Sequence, residues 1–285
     1  MHKLTVLTGA TSGIGYETAL QLASRKYHLV LISRSEDKGD KVRSHIRNQI
    51  PGARIDLVSA DLSLQKHIRK AADEINQLTP KIDVLINNAG TWHSRRNITK
   101  EGIEEVFAVN HLSYFLLTHL LYPRLQAADA SRIVNVSSDS HFNGKIHFDD
   151  LSLENNYHGL RSYAQSKLAN VLFTYEMDRR KPHAHIVTNA LQPGLVITDI
   201  GLKHTKWWHA LAWKIRRSTG IPAREGAKTS VYLATSEEIE GVTAKYWDNC
   251  AAKPSSSGSY DREDARKLWD RSEQMCGITD YFSVS

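Results

Sequence analysis

Cysteine is nearly absent from this chain of 285 residues, which contains only Cys250 and Cys276. Two cysteines are too few for a disulfide framework, so the chain does not resemble the disulfide-stapled secreted proteins. A reducing compartment suits this composition, and we therefore expect a cytoplasmic location.

Long hydrophobic runs are also absent. The longest apolar run is far shorter than the ~20 residues of a membrane-spanning helix. Met1 to Val6 leads directly into the first predicted strand, so we expect neither a secretory signal nor a membrane anchor. The chain is 41% hydrophobic and has no internal repeat or linker-like interior stretch. We expect residues 1–285 to form a single domain, with the short run from Ser255 to Ser259 as a surface loop.

The charge is only slightly unbalanced, with 37 lysines and arginines against 31 acidic residues and a formal net charge of +6. A basic balance can indicate nucleic-acid binding. The sequence has no basic tail, no zinc-ligand spacing and no basic-aromatic motif, and its basic residues are scattered among the acids. We therefore interpret the charge as a solvated surface and expect no nucleic-acid partner.

What the sequence does contain is a repeated alternation of strand and helix patterns. Strands are predicted at 4–8, 28–33, 54–60, 82–87, 131–137, 184–191 and about 243–247. Helices are predicted at about 14–25, 36–49, 64–78, 103–128, 159–181 and 223–236. This order predicts an α/β fold, a Rossmann-type doubly wound parallel sheet of about seven strands with helices on both faces. Ligands of such sheets bind at the carboxyl ends of the strands.

A glycine-rich turn follows the first predicted strand at once. Gly9, Gly13 and Gly15 lie in TGATSGIG at 8–15, and a helical pattern follows. Strand, glycine turn and helix in this order are typical of a dinucleotide phosphate site, where the backbone approaches the pyrophosphate and the helix N-terminus faces the anion. The spacing is G-x-x-x-G-x-G, and an ordinary strand-to-helix turn is the alternative.

Tyr163 and Lys167 lie four residues apart in a predicted helix and therefore on one face of it. A free phenol has a pKa of about 10. A fixed ammonium beside it favours the phenolate, so we expect the Tyr163 pKa to be lowered toward the range of an acid–base catalyst. Because Y-x-x-x-K also occurs by chance on solvated helices, the pair alone is weak evidence of a catalytic site. The motifs upstream of it make it informative.

Those motifs carry a family resemblance. TGATSGIG at 8–15, NNAG at 87–90, the segment around Asn110, VSS at 136–138, YAQSK at 163–167 and PG at 193–194 occur in one order. Together they resemble the short-chain dehydrogenase/reductase family in its non-extended form, over residues 1 to about 250. VNHLSYFLLTHLL at 109–121, SKLANVLFT at 166–174 and LWDRSEQMCGI at 268–278 are similar to its retinol-dehydrogenase-like branch.

The resemblance implies four catalytic residues, Asn110, Ser138, Tyr163 and Lys167. Tyr163 would be the acid and base, and Ser138 would hold the substrate oxygen beside it. Lys167 would bind the nicotinamide ribose and lower the Tyr163 pKa, and the Asn110 carbonyl would bind a water that links Lys167 to solvent. Two alternatives are that Asn110 makes a structural hydrogen bond, and that Ser137 takes the place of Ser138.

The same resemblance implies the cofactor contacts. They would come from the glycine turn, the adenine-bracketing pair, the turn after the fourth strand, the catalytic helix and the segment after the sixth strand: Gly9, Thr11, Ser12, Gly13, Ile14, Gly15, Asp61, Leu62, Asn88, Ala89, Gly90, Tyr163, Lys167, Pro193, Gly194, Val196 and Thr198. Each motif has a plainer reading. Asp61 could cap a helix, residues 87–90 could be a bare turn, and Pro193-Gly194 could only break a loop.

Ser33 and Arg34 at the end of the second strand address the choice of cofactor. An NAD site usually has an acidic residue there, which would repel a 2′-phosphate. A hydroxyl beside a guanidinium can bind that phosphate with charge-assisted hydrogen bonds. We expect NADP(H) to be preferred over NAD(H) by at least about tenfold, or ~1.4 kcal/mol. The alternative is that Arg34 is a surface arginine in a loop.

Two segments are candidates for contact with the substrate. Residues 199–221 are rich in tryptophan and basic residues and resemble the mobile substrate-covering segment of the family. Core packing and peripheral contact with an anionic membrane are the alternatives. The stretch between Ser138 and Tyr163 is expected to form a pocket wall through Phe142, Phe148 or Tyr157. Its His/Asp spacing is not diagnostic of a metal, and we expect none.

These observations predict an NADP(H)-dependent oxidoreductase that transfers hydride between the nicotinamide and a carbonyl or alcohol of a lipophilic small molecule. A catalytically silent NADP(H)-binding regulatory or scaffold protein is the alternative, and the presence of all four catalytic-type residues favours the enzyme. Reduction of a C=C bond, as in the light-dependent protochlorophyllide reductases, is a third reading that no cysteine-rich pattern supports. The family resemblance also suggests a homodimer or homotetramer.

Overall fold

The computed structural model describes residues 2–194 and 220–284. Within them the strands are β1 Leu4–Thr8, β2 His28–Ser33, β3 Ile55–Ser59, β4 Val84–Asn87, β5 Ser131–Val136, β6 Ile186–Gln192, β7 Tyr246–Asp248 and β8 Ala251–Lys253. The α-helices are α1 Gly13–Ser24, α2 Glu36–Gln49, α3 Gln65–Leu78, α4 Glu105–Phe107, α5 Ser113–Gln126, α6 Gly159–Arg180, α7 Ala223–Thr235 and α8 Arg262–Cys276. A π-helical turn, Ala108–Leu112, joins α4 to α5, and 3₁₀ turns occur at Asp139–Asn143 and Ser257–Tyr260.

The strands form one sheet in the order β3-β2-β1-β4-β5-β6-β7-β8. The pairs from β3 to β7 are parallel, as the alternating sequence pattern predicts. Because β1 lies between β2 and β4, the strand order changes direction there, and the carboxyl ends of β1 and β4 border a crevice. The predicted Rossmann-type α/β fold is confirmed.

The predicted number of strands is too small by one. β8 pairs with β7 in the antiparallel direction. The two residues between them, Asn249 and Cys250, both have positive φ, 49° and 60°, which is the backbone of a tight hairpin turn. β8 escaped prediction because its three residues are exposed and carry no apolar alternation.

The helix α8 was also not predicted. Asp261 caps it by accepting hydrogen bonds from the backbone of Glu263 and Asp264, and Gly277 ends it with a φ of 64°. Both are recognisable helix-boundary signals in the sequence. Its buried face includes Leu268 and Trp269, which lie in the core beside α5 and α6.

The sheet separates two hydrophobic layers. On one face, residues of α1, α2 and α7 pack in a cluster that contains Leu22, Ile46 and Val231. On the other face, α3, α5, α6 and α8 pack in a larger cluster. Neighbouring residues of β1 serve both layers, since Val6 belongs to the larger cluster and Leu7 to the smaller. As expected for a sheet covered on both faces, every residue of β1, β4 and β6 is buried.

Two further observations concern the described part of the chain as a whole. In residues 2–194 and 220–284, no helix is long and apolar enough to cross a membrane. The same residues contain no group of three or more His, Cys, Asp or Glu side chains suited to holding a metal ion.

Candidate active site

The turn after β1 is built by backbone contacts. Gly9 and Gly13 have positive φ values of 70° and 56°. A Cβ on Gly15 would lie 2.2 Å from the carbonyl oxygen of Gly9, and one on Gly9 would lie 2.8 Å from the Cα of Ala89. Residues 9–15, hereafter the glycine turn, therefore pack against themselves and against the end of β4 so closely that larger residues do not fit.

The N-terminus of α1 has the properties of an anion site. Its N-cap residue, Ser12, makes no side-chain capping bond, and the first turn has no acidic residue. By contrast, Ser35 and Asp261 cap α2 and α8 with their side chains. An N-terminus without a side-chain cap offers backbone N–H groups and a positive dipole end to a phosphate. The glycine turn thus fits the pyrophosphate of a dinucleotide.

Thr8 joins the glycine turn to the end of β4. Its hydroxyl oxygen accepts hydrogen bonds from the backbone N–H groups of Asn88 and Ala89, both at 2.9 Å. The Asn88 side chain donates in return to the Thr8 carbonyl at 2.9 Å. Residues 87–90 are therefore more than a bare turn. Gly90 faces the interior of the site, since a Cβ there would lie 3.6 Å from Asn110 Oδ1 and 3.7 Å from Lys167 Nζ.

Ser33 and Arg34 lie where the sequence predicts them, at the carboxyl end of β2. Ser33 is buried, and its hydroxyl donates to the Ser35 carbonyl at 2.8 Å, so part of its hydrogen-bonding capacity serves the local turn. Arg34 is exposed. The positive charge of Arg34 acts on the carboxylate of Glu105. Its pKa is lowered mainly by a hydrogen bond with His93, with a smaller contribution from Arg34.

Asp61 does not cap a helix. Its carboxylate accepts hydrogen bonds from the backbone and hydroxyl of Ser63, which closes a local turn. The N-terminal residue before α3 is Leu64, and the free N–H groups of Gln65 and Lys66 donate to the carboxylate of Glu101. The alternative that Asp61 caps a helix was wrong, because the carboxylate of Glu101 accepts the hydrogen bonds at the start of α3. Leu62, next to Asp61, is buried.

Ser138, Tyr163 and Lys167 converge beyond the end of β5. Tyr163 and Lys167 lie on one face of α6, and the Ser138 side chain is near enough to the Tyr163 hydroxyl to lower its pKa. Lys167 Nζ donates to the Val136 carbonyl at 2.9 Å and lies 5.5 Å from the centroid of the Tyr163 ring. Ser137, the alternative to Ser138, turns away and donates to the Lys167 carbonyl at 2.7 Å.

The pKa values of the pair differ from the sequence-based expectation. Burial raises the pKa of Tyr163 to about 12, and the hydrogen bond with Ser138 only partly opposes it. Burial also lowers the pKa of Lys167 to about 7. The predicted lowering of the phenol pKa was wrong for this geometry, because Lys167 is itself desolvated and donates to a carbonyl rather than to the phenol oxygen. Tyr163 keeps part of its surface exposed, although surrounding protein desolvates its hydroxyl.

Asn110 is fully buried in the π-helical turn. Its side-chain oxygen accepts from the Thr91 backbone at 2.7 Å, and its amide donates to the Thr91 carbonyl and to Ser166 Oγ, both at 3.0 Å. The side chain is thus structural, as one sequence reading had it. The widened helical turn is of a type often found at functional sites.

The last cofactor motif is only partly described. Gly194 has a φ of 84°, and its N–H donates to Gln192 Oε1 at 2.9 Å. A Cβ on Gly194 would lie 2.9 Å from Ile221 Cδ1. Pro193 precedes it in the turn after β6. Val196, Thr198 and residues 199–219 of the expected substrate-covering segment lie outside the described residues.

Residues expected in a pocket wall are divided between several roles. Phe142 is 51% exposed in the 3₁₀ turn that follows Ser138. Phe148 packs against the larger hydrophobic cluster. The Tyr157 hydroxyl lies 3.2 Å from the His93 carbonyl and 3.3 Å from the Glu104 carboxylate. Phe142 is therefore the member of this group that an apolar substrate could reach from solvent.

Sequence reasoning missed three residues that support the site. The Tyr114 hydroxyl donates to the Ala89 carbonyl at 2.8 Å. Glu104 is a buried carboxyl that accepts from Ser162, next to Tyr163, and from the backbone N–H groups of Val106 and Phe107. His141 contacts the carbonyl of Ser138. The position of Glu104 just before a helical pattern was the one available signal, as that of a capping residue.

Comparison with known proteins gives one consistent result. Residues 3–208 match the model of the short chain dehydrogenase family. The chain is 37% identical to retinol dehydrogenase 14 of Mus musculus, over 98% of this chain and 87% of that protein. It is also 37% identical to retinol dehydrogenase 13 of Homo sapiens, over 97% of this chain and 85% of that protein.

Solved structures agree on the fold. A crystal structure of a protein from Mycobacterium Paratuberculosis has a TM-score of 0.79 and 30% identity, and the match covers 99% of this chain and 95% of that one. A short chain dehydrogenase from Escherichia coli CFT073, crystallised with NADPH, has a TM-score of 0.69 and 21% identity, with 87% of this chain and 97% of that one covered.

Proposed function

The chain belongs to the short-chain dehydrogenase family, in its retinol-dehydrogenase-like branch, and from this premise we propose that it is an NADP(H)-dependent enzyme that interconverts a lipophilic carbonyl compound and its alcohol. The observation that carries the proposal is the convergence of Ser138, Tyr163 and Lys167, with Lys167 beside Gly90 in the turn after β4. Asn110 completes the set expected of an active member, which argues against a catalytically silent scaffold.

The residues present fit a nicotinamide dinucleotide. The N–H groups at the start of α1 suit its pyrophosphate, and Ser33 and Arg34 suit a 2′-phosphate. Gly90 lies beside Asn110 and Lys167 at the interior end of the site, and its lack of a side chain lets a ligand approach the backbone there. When bound there, the cofactor would supply or accept a hydride.

The protein's own part in the reaction is to hold and move a proton at the substrate oxygen. Tyr163, whose pKa is about 12, is protonated at neutral pH and would donate its proton to the developing alkoxide. Ser138 would hydrogen-bond the same oxygen and stabilise its charge. Lys167, whose pKa is about 7, would bind the nicotinamide ribose and exchange protons near neutrality. In the oxidative direction Tyr163 must first lose its proton, which higher pH favours.

A lipophilic substrate is supported by the surface around the site. Phe142 follows Ser138 on the exposed side, and Ile221, 38% exposed, contacts the Gly194 turn. The relatives named above are retinol dehydrogenases, which act on a lipophilic alcohol. We propose that residues 199–221 cover such a substrate.

The first experiment follows the oxidation of NADPH and NADH in the presence of a panel of lipophilic aldehydes and ketones, with the wild type and Tyr163→Phe in parallel. We expect NADPH-dependent turnover, with kcat lowered by about 10²–10⁴ in the variant because the general acid is lost. Fluorescence titration should give the same NADPH affinity for both proteins. Tight NADPH binding without turnover of any carbonyl compound or alcohol would favour the regulatory reading.

Cofactor preference has its own test. We expect kcat/KM to be at least about tenfold higher with NADPH than with NADH, or ~1.4 kcal/mol. Arg34→Glu should remove or reverse this ratio by repelling the 2′-phosphate, whereas Lys41→Glu, a charge reversal at an exposed position in α2, should not. Equal kcat/KM values for the two cofactors in the wild type would contradict the preference.

A further inference from the structure

We propose that His141 is a positioning residue for Ser138, which it ties to a partly buried loop near the C-terminal helix. That loop, residues 255–260, is called the serine loop below. The inference rests on the proposed function, because it concerns the residue that would hold the substrate oxygen.

The hydrogen bonds of His141 determine its tautomer. The ring is fully buried, and both of its nitrogens have partners. Nε2 lies 3.0 Å from the backbone nitrogen of Ser256, and Nδ1 lies 2.8 Å from the carbonyl oxygen of Ser138. A backbone N–H can only donate, so Nε2 accepts and Nδ1 carries the proton, which it donates to the Ser138 carbonyl.

The charge state of His141 is consistent with this arrangement. Burial lowers the pKa of His141, although the Ser138 carbonyl and the nearby Asp139 oppose the shift. A protonated ring would direct a second N–H at the N–H of Ser256, and one donor would lose its partner. In the neutral Nδ1–H form, both ring nitrogens, the Ser256 N–H and the Ser138 carbonyl have hydrogen-bond partners.

Packing holds the ring in its plane. It contacts the rings of Phe142 and Tyr246, with centroid distances of 4.2 Å and 4.6 Å, and these two rings also contact each other edge to face. The Tyr246 hydroxyl donates to Asp139 at 3.0 Å, so the turn that begins at Ser138 is held from two sides. The Ser138 carbonyl also accepts from the backbone N–H of His141, and the two bonds together fix its direction.

The serine loop connects His141 to the helix that carries Tyr163. Ser255 Oγ bonds to the Tyr175 hydroxyl at 2.7 Å and to Ser259 Oγ at 2.6 Å, and Ser259 donates to the Ser256 carbonyl. Tyr175 lies on α6, twelve residues after Tyr163. Ser138 is therefore held relative to α6 through the chain Ser138, His141, Ser256, Ser255 and Tyr175.

This arrangement also corrects the sequence prediction for residues 255–259. Ser255, Ser256 and Ser259 are buried, whereas Ser257 and Gly258 between them are exposed. The hydroxyls of Ser255 and Ser259 are hydrogen-bonded, and Ser256 is bonded through its backbone. Buried hydroxyls cost free energy without partners, and here most of the partners come from α6 and from the loop itself. A misplacement of about 1 Å at a reacting group can lower the rate by as much as ~10²-fold. Hydrogen bonds that fix the position of Ser138 would therefore favour catalysis.

Kinetics distinguish positioning from a general structural role. His141→Phe keeps an aromatic ring in contact with Phe142 and Tyr246 but removes both hydrogen bonds of the imidazole. We expect kcat for carbonyl reduction to fall about tenfold, with the NADPH dissociation constant changed less than about twofold. The matched control is His119→Phe, which removes another buried bond between a histidine and a carbonyl, that to Tyr281, and should leave kcat within about twofold of the wild type.

A double mutant tests whether His141 acts through Ser138. In single-turnover measurements, adding His141→Phe to Ser138→Ala should lower the residual rate less than about twofold, since the positioned hydroxyl is already gone. The same loss in both backgrounds, or an unchanged kcat in His141→Phe, would overturn the inference.

A structural readout separates this inference from the proposed function. Long-range proton–nitrogen NMR spectra of the labelled protein should show His141 as the Nδ1–H tautomer. The Ser256 φ of −60° suits proline, and Ser256→Pro replaces the N–H that Nε2 accepts with the ring carbon Cδ, so the signals should change in that variant. If the wild type has the Nε2–H tautomer, the inference is wrong whatever the turnover. If the wild type has the Nδ1–H tautomer but no turnover, only the proposed function is contradicted.

Discussion

The turn after β1 and the turn after β5 border the same crevice but are held by different means. The glycine turn is held by the backbone, with Gly15 against the Gly9 carbonyl and Gly9 against Ala89. The turn that begins at Ser138 is held by side chains, through His141, the serine loop and Tyr175.

This difference determines how each region responds to change. Backbone contact leaves no space for an added atom, so a substitution in the glycine turn must move main chain. A network of side-chain hydrogen bonds loses its members one at a time, and its titratable members make it sensitive to pH. The following predictions test that contrast, from the largest expected effect to the smallest.

Gly15→Ala should have the largest effect. The new methyl group would lie 2.2 Å from the Gly9 carbonyl, so the turn must shift. We expect unfolding free energy to fall by about 3 kcal/mol and NADPH affinity to fall at least about tenfold. Gly258→Ala is the control, because a Cβ there meets nothing within 4 Å. Denaturant unfolding and fluorescence titration measure both, and a stable, tightly binding Gly15→Ala protein would contradict the backbone account.

Lys167→Met tests the side-chain-held region by its pH dependence. Burial lowers the pKa of Lys167 to about 7, so above that pH the unfolded chain binds more protons than the folded protein. Stability of the cofactor-free wild type should therefore rise between about pH 7 and 10, by up to ~1.4 kcal/mol per pH unit, relative to Lys167→Met. Urea unfolding of both proteins across this range measures the difference. If the difference in stability did not change with pH, Lys167 would stay charged in the folded protein.

Glu104→Gln should have the smallest effect and the opposite sign of pH dependence. Burial raises the pKa of Glu104, although four hydrogen bonds to the carboxylate oppose this. A carboxyl with a raised pKa contributes stability at low pH and loses it as pH rises through the folded pKa. The stability of the wild type relative to Glu104→Gln should thus decrease as the pH rises from about 4.5 through the folded-state pKa. Thermal unfolding of both proteins across that range would disprove this if the difference stayed constant or grew.

The same contrast separates the features that the sequence predicted from those that it did not. The positions of the strands up to β7 and the glycine turn were predictable, because each depends on residues close together in the chain. The pairing of β8 and the helix α8 were missed although Asp261 and Gly277 mark that helix. The burial of the serine loop had no local signal at all, since its partner His141 lies 115 residues away from Ser256.

The sequence by itself determined which residue types stand at the strand ends, since hydrophobic period, glycine spacing and the four-residue interval from Tyr163 to Lys167 are local properties. Only the tertiary structure decided which groups those residues meet. Asn110 bonds to Thr91 and Ser166, and burial moves the pKa values of Tyr163 and Lys167 in directions that the pair alone did not predict. Desolvation and hydrogen-bond geometry depend on neighbours that folding brings from distant parts of the chain, so no local pattern contains them.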